Sequence, residues 1–348
     1  MGKKSLVGVD IGRHYTKIVE LENKKGIATI KRAFKERTPE NLFSEDEFDS
    51  DLMTEFLKSL FQDYKVRNRN VAIALNSSRV ITKLAKMPLV VDEEIEQAVM
   101  WEAEQYAPVA MDQVNVSYQI MSKDKEKNEM LVLIVLTKKE VVDSYVDAFH
   151  KARLRVHLVD VDIFAAANAL LKNEQDVLNR HVMLVDVGYY SSKLVFLKQG
   201  IPQFSRFLEF GFGSVIEDAT DVLEMPKQEA FSILENMEKA DESKRSLLLS
   251  FLKDKSVRLY GQLENSMSFY ETNVLDVAEE IEEIYFCGAF GALFPYIEDS
   301  FPEEFKTKGV RRLNPFGAFV SEVAEFPDVA TEASSLYSVA VGLSVRGL

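Results

Sequence analysis

Cysteine is almost missing from this 348-residue chain. Cys287 is the only one, which excludes an internal disulfide and points to a reducing compartment. Histidine is scarce as well: His14, His150, His157 and His181 show no ligand spacing, which argues against a zinc centre. Glycine and proline are few (15 and 9), so the chain is neither fibrous nor low-complexity. No apolar run nears the ~20 residues that span a bilayer, and the most hydrophobic stretch, 131–136, has strand length. The basic start, Lys3 and Lys4, has no signal-peptide core behind it. Acidic residues outnumber basic ones 56 to 42, and the net charge of −14 argues against a nucleic-acid-binding face. What remains is a globular composition, 47% hydrophobic and 28% charged, with length for two domains. A cytoplasmic protein without a membrane span is the expectation.

The most informative positive feature is a repeat. Asp10-Ile-Gly12 ends the strand-like run 6–9, and Asp186-Val-Gly188 ends the run 183–185. Each is followed by a strand, a polar turn and another strand: 15–22, 23–26 and 27–34 in the first copy, 193–197, 198–200 and 201–208 in the second. The distance from Asp to turn glycine is 16 residues in the first copy (10 to 26) and 14 in the second (186 to 200). A repeated β-meander, each copy followed by helices, argues for duplication of one α/β unit.

The segments between extend this plan. Residues 80–86 read as a strand ended at Pro88. Asp92 is expected to cap a helix that runs to Ala107 and stops at Pro108. Strands over 114–121 and 130–137, a helix over 138–152 and a strand over 154–159 complete a small α+β piece. These spacings predict a first half over 1–175 with an inserted α+β piece. They predict a second half over 176–335 with a mostly helical insert at 214–270. The segment 336–348 is expected to be an amphipathic helix, with Leu336, Val339, Ala340 and Leu343 on the face packed against the first half.

An apolar strand that stops at Asp-x-Gly and turns back can aim backbone N–H groups at phosphate and leave the Asp facing a hydrated metal ion. Two such turns suggest a phosphate held between two related halves. In the first, Asp10, Gly12, Thr16 and Lys17 are the candidates, with Gly12 supplying a positive φ and close approach. In the second they are Asp186, Gly188, Ser191 and Ser192, and Asp10 and Asp186 would face a hydrated metal ion. Gly288 and Gly291, after a buried strand over 284–287, either wrap a base or sugar or form a tight strand-to-helix turn. Trp101 and Met100 fall off the apolar stripe Ile95, Ala98, Val99, Tyr106; they contact a partner, another subdomain, or neighbours in the same chain. Glu102 falls inside that stripe without a reason in the sequence.

These residues resemble the PilM family, the cytoplasmic actin-like component of type IV pilus assembly. The resemblance is carried by Val9-Asp-Ile-Gly12 with Lys17-Ile-Val-Glu-Leu21, by Trp101-Glu-Ala-Glu-Gln-Tyr-Ala-Pro108 and by Leu184-Val-Asp-Val-Gly188. Glu264-Asn-Ser-Met-Ser-Phe-Tyr270, Asn314-Pro-Phe316 and Val339-Ala-Val-Gly-Leu343 follow in order. It implies an α/β, actin/Hsp70-like (FtsA-like) fold of two related ribonuclease H-like subdomains, with a small α+β insert at 82–160 and a helical insert. It further implies ATP and Mg2+ in the central cleft, with Asp162 at the position of a family Glu that positions metal or water. The implied partner is the N-terminal cytoplasmic tail of a PilN-like inner-membrane protein, bound on the first half. That partner would keep the chain cytoplasmic and peripheral to the inner membrane.

Departures from the family pattern cluster at the cleft. Arg13, His14 and Tyr15 stand where small hydroxyl residues follow the first glycine. Phe212 interrupts a glycine pair after Gly211, Ile216 replaces a Thr, Leu234 replaces a Lys, and Ala289 and Phe290 fill the late glycine-rich turn. The expectation is a scaffold with a weak or lost nucleotide site. A working ATPase of the same fold that switches the partner interaction is the alternative. An FtsA-like filament protein fits less well, because only Arg346, Gly347 and Leu348 follow the last helix. The L component of type II secretion would continue into a membrane span.

Overall fold

The computed structural model describes residues 5–348 except 45–46, 236, 275–278 and 322–326. The first meander is β1 (Val7–Ile11), β2 (Tyr15–Lys24) and β3 (Ile27–Arg37), followed by α1 (Ser50–Asp63) and β4 (Asn70–Leu75). Next come β5 (Ile81–Pro88), α2 (Ile95–Glu104), β6 (Val114–Asp124) and β7 (Glu129–Lys138). The chain returns through α3 (Lys139–Lys151) and β8 (Arg155–Val161), and α4 (Asp162–Asn173) leads to the second half. There β9 (His181–Val187), β10 (Ser192–Lys198) and β11 (Ile201–Leu208) repeat the meander. Helices α5 (Phe212–Leu223), α6 (Lys227–Glu235) and α7 (Glu242–Asn273) follow. The second sheet is completed by β12 (Glu283–Cys287), α8 (Gly288–Ile297), α9 (Glu303–Thr307) and β13 (Val310–Arg312). The last elements are β14 (Val320–Ser321) and α10 (Ser338–Val345).

The two large sheets share one plan. Their orders are β14-β3-β2-β1-β4-β8 and β11-β10-β9-β12-β13, so without β14 each is an antiparallel meander extended by two parallel strands. The meander turns match too. Lys25 and Gly26, and likewise Gln199 and Gly200, all have positive φ, the backbone of a two-residue type I′ hairpin turn. Helix α4 lies between the sheets. Ile163, Ala166 and Leu170 share a core with Leu184, Val195 and Tyr285 of the second sheet and with Val339 and Leu343 of α10. Among the described residues no helix is long and apolar enough to cross a membrane.

Three expectations change. The insert was expected to run to residue 160, but its sheet is only β5-β7-β6; β8 pairs in parallel with β4 of the large sheet, and α3 packs over that sheet's core. Parallel pairing requires a crossover, which the insert itself supplies. Asp92 does not cap α2. It lies in a short 3-10 turn and pairs with Lys123 at 2.5 Å, and α2 ends at Glu104, with Gln105 to Ala107 in tighter turns. Finally, α10 is not amphipathic: residues 338–344 are all buried, and Leu336 belongs to a preceding 3-10 segment. The helix is wedged between α4 and the first sheet, where Ser344 Oγ donates to Leu6 O and accepts from Leu21 N. On α2, Trp101 is 65% exposed, and Glu102 accepts the hydroxyl of Tyr106 at 3.1 Å, which explains a carboxylate within the stripe.

Candidate functional site

Between the halves lies a cleft of about 1030 Å3, lined by both Asp-x-Gly turns and by parts of α6 and α8. Its floor follows from strand register. Antiparallel pairing sets Asp10 opposite Lys17 on β1 and β2, and Asp186 opposite Lys193 on β9 and β10. Each lysine follows its aspartate by seven residues. The two lysines then part ways. Lys17 Nζ bonds its own cross-strand partner, 2.7 Å from Asp10 Oδ2. Lys193 Nζ reaches to the first residue of α4, 2.8 Å from Asp162 Oδ2, and stands 3.9 Å from Asp186 Oδ2.

Asp162 is fully engaged. Its Oδ1 accepts from the amides of Ser77 at 3.1 Å and Ile163 at 2.7 Å, and from the Ser77 hydroxyl. Burial pushes the Asp186 carboxyl above its ordinary range, against the pull of Lys193. Burial would lower the Lys193 ammonium, but Asp162 and Asp186 outweigh it and hold it above its usual value.

Side chains that follow the two glycines meet across the mouth. The His14 ring stacks on Tyr189 (4.7 Å) and on Phe231 of α6 (4.3 Å). Arg37 donates to His14 Nε2 at 3.0 Å and pairs with Glu235 of α6 at 2.8 Å, and the Tyr15 hydroxyl donates to the same Glu235 carboxylate. Arg13 donates to Ser44 O at 3.1 Å and lies over the rings of Phe43 and Tyr190. The first half is thereby latched to the helices of the second.

Of the candidates from the sequence, Asp10, Gly12, Lys17, Asp162, Asp186, Gly188, Ser191 and Gly288 line the cleft. Thr16 and Ser192 do not. Alternation along β2 and β10 turns them to the opposite face, where Thr16 bonds Thr38 and Ser192 bonds Phe210 O. Gly291 is packing space, since a Cβ there would lie 2.6 Å from Ser335 Cβ. Phe290 points into the core with Phe210 and Phe212, and Ile216 is buried in the same core, so neither intrudes on the cleft. Gly12 and Gly188 keep negative φ; they are required because a Cβ would meet Tyr15 O at 2.7 Å and Ser191 O at 2.8 Å. Arg37, Phe231 and Glu235 went unnoticed in the sequence. Lys193 had a signal, the repeated Asp-to-Lys spacing.

The floor does not fit a hydrated Mg2+. Each of the three aspartates faces an ammonium, and among the described residues no group of three His, Cys, Asp or Glu is placed to hold a metal ion. The turn amides are also used, Gly12 N donating to Tyr15 O and Gly188 N to Ser191 O.

The model of the family described as type IV pilus assembly protein PilM matches residues 8–348. The chain belongs to that family. A solved PilM-PilN type IV pilus biogenesis complex is 22% identical, with 99% of each chain covered and a TM-score of 0.84. The ethanolamine utilization protein EutJ from Carboxydothermus hydrogenoformans is 12% identical over 99% of this chain and 90% of its own, with a TM-score of 0.58. The PilM fold is actin-like, and the matching strand orders are its two related halves.

Proposed function

We propose that this PilM-family chain is a scaffold of the type IV pilus inner-membrane platform, cytoplasmic and held at the membrane by the N-terminal tail of a PilN-like protein. The partner is suggested by the likeness to the PilM-PilN complex over nearly the whole of both chains. The cross-cleft latch is the observation that carries the scaffold reading over an enzymatic one. His14, Tyr15 and Arg37 occupy the approach to the two turns and tie it to α6. Domain opening and closing around ATP would have to break these contacts in every cycle. The size of the cleft favours a second reading, in which nucleotide enters and modulates the same interaction.

A fluorescent peptide of the PilN-like N-terminal tail from the same organism tests the partner. Saturable anisotropy at or below ~100 μM is expected, equivalent to roughly −5.5 kcal/mol. A flat titration to that concentration would sink the reading.

A further inference from the structure

Three carboxylates from both halves converge on the cleft floor: Asp10 from β1, Asp162 from α4 and Asp186 from β9. Carboxylates gathered in a largely buried place repel one another and need a counter-cation. A fold built around polyphosphate would supply it as a divalent ion. Here the position is taken by protein. Lys17 is ion-paired with Asp10 and also donates to Tyr15 O. Lys193 stands between Asp162 and Asp186 with its side chain only 12% exposed, and Asp162 is itself held by Ser77 and Ile163. The register of β9 and β10 delivers the lysine here, and the start of α4 meets it from the other half.

We propose that the Lys193 ammonium is a built-in substitute for a divalent cation, joining the two halves across Asp162 and Asp186, so that the cleft floor rejects Mg2+ and Mn2+. A metal arriving at Asp186 meets an ammonium that has no proton-free donor to offer and cannot leave without breaking its contact to Asp162. The inference concerns only the charge on the floor, and it stands or falls independently of the PilN-like partner.

Mn2+ titration of the full chain, followed by electron paramagnetic resonance, is the test. The native chain is expected to bind no Mn2+ at ~1 mM beyond the weak background of an acidic surface, measured with Asp186→Asn as control. Lys193→Ser removes the ammonium and leaves space. It is expected to gain one bound Mn2+ with submillimolar affinity, to lose that ion on adding Asp186→Asn, and to recover thermal stability in Mn2+ or Mg2+. An Asp186-dependent Mn2+ on the native chain overturns the proposal, as does a folded Lys193→Ser chain that binds no more Mn2+ than the native one. Should Lys193→Ser not fold, the native titration against Asp186→Asn decides alone.

Discussion

His14 sits among aromatic rings and positive charges, and both act in one direction. Burial first, then Arg37, Lys227 and Lys17, push its imidazole from 6.5 down to about 4. The Arg37 guanidinium donates to Nε2, which needs the neutral ring. A group whose folded value lies below its unfolded one binds its proton more readily when unfolded. The neutral ring is therefore fully accommodated above pH 6.5, and stability falls as the pH drops from 6.5 towards 4. An NMR titration of the ring protons is expected to give a midpoint near 4, rising when Arg37→Leu removes a charge and a donor; a native midpoint near 6.5 would contradict the stacked position. His14 was visible in the sequence as a bulky residue after Gly12. Its partners were not: Arg37 and Glu235 are 198 positions apart, and no local period connects them.

At the scale of elements, strands followed from alternation and turn residues, because both are set within a few positions. Boundaries and roles did not. Residues 154–159 read as part of the insert by adjacency, yet β8 joins β4, since a parallel partner is chosen by the edge left open on the large sheet. The spacing of α10 suggested one apolar face, but the helix is enclosed by α4, β1 and β2, and its serines and glycine serve contacts rather than solvent. Gly342 shows how close that contact is: a Cβ there would stand 1.7 Å from Ala165 O, inside the backbone of α4. Gly342→Val is expected to destabilise by about 3 kcal/mol or more, because neither helix backbone has room to move. Chemical denaturation would measure it, and a loss under ~1 kcal/mol would mean that the two helices can separate.

For the molecule as a whole, duplication and the cleft between the halves were legible in the paired Asp-x-Gly turns. The state of the cleft was partly so. Arg13, His14 and Tyr15 signalled crowding, and they cross to Tyr189, Tyr190, Phe231 and Glu235 instead of merely filling space. On the proposed reading, a latched mouth and a neutralised floor would together leave little affinity for a metal-bound nucleotide. ATP with Mg2+ at ~1 mM is expected to raise the melting temperature by less than about 1 °C, since ligand stabilisation scales with RT ln(1 + [L]/Kd). A rise of several degrees, abolished by Asp10→Ala, would favour the ATP-modulated reading instead.

The repeated meander and the family signature were set by short-range spacing, where side-chain alternation and turn chemistry act over a few residues. The pairing of Lys193 was a tertiary outcome. Seen along the chain it should serve Asp186, just as Lys17 serves Asp10. Only the packing of α4 against the second sheet brings Asp162 within 2.8 Å, and the nearer carboxylate, already oriented by two backbone amides, holds the ammonium.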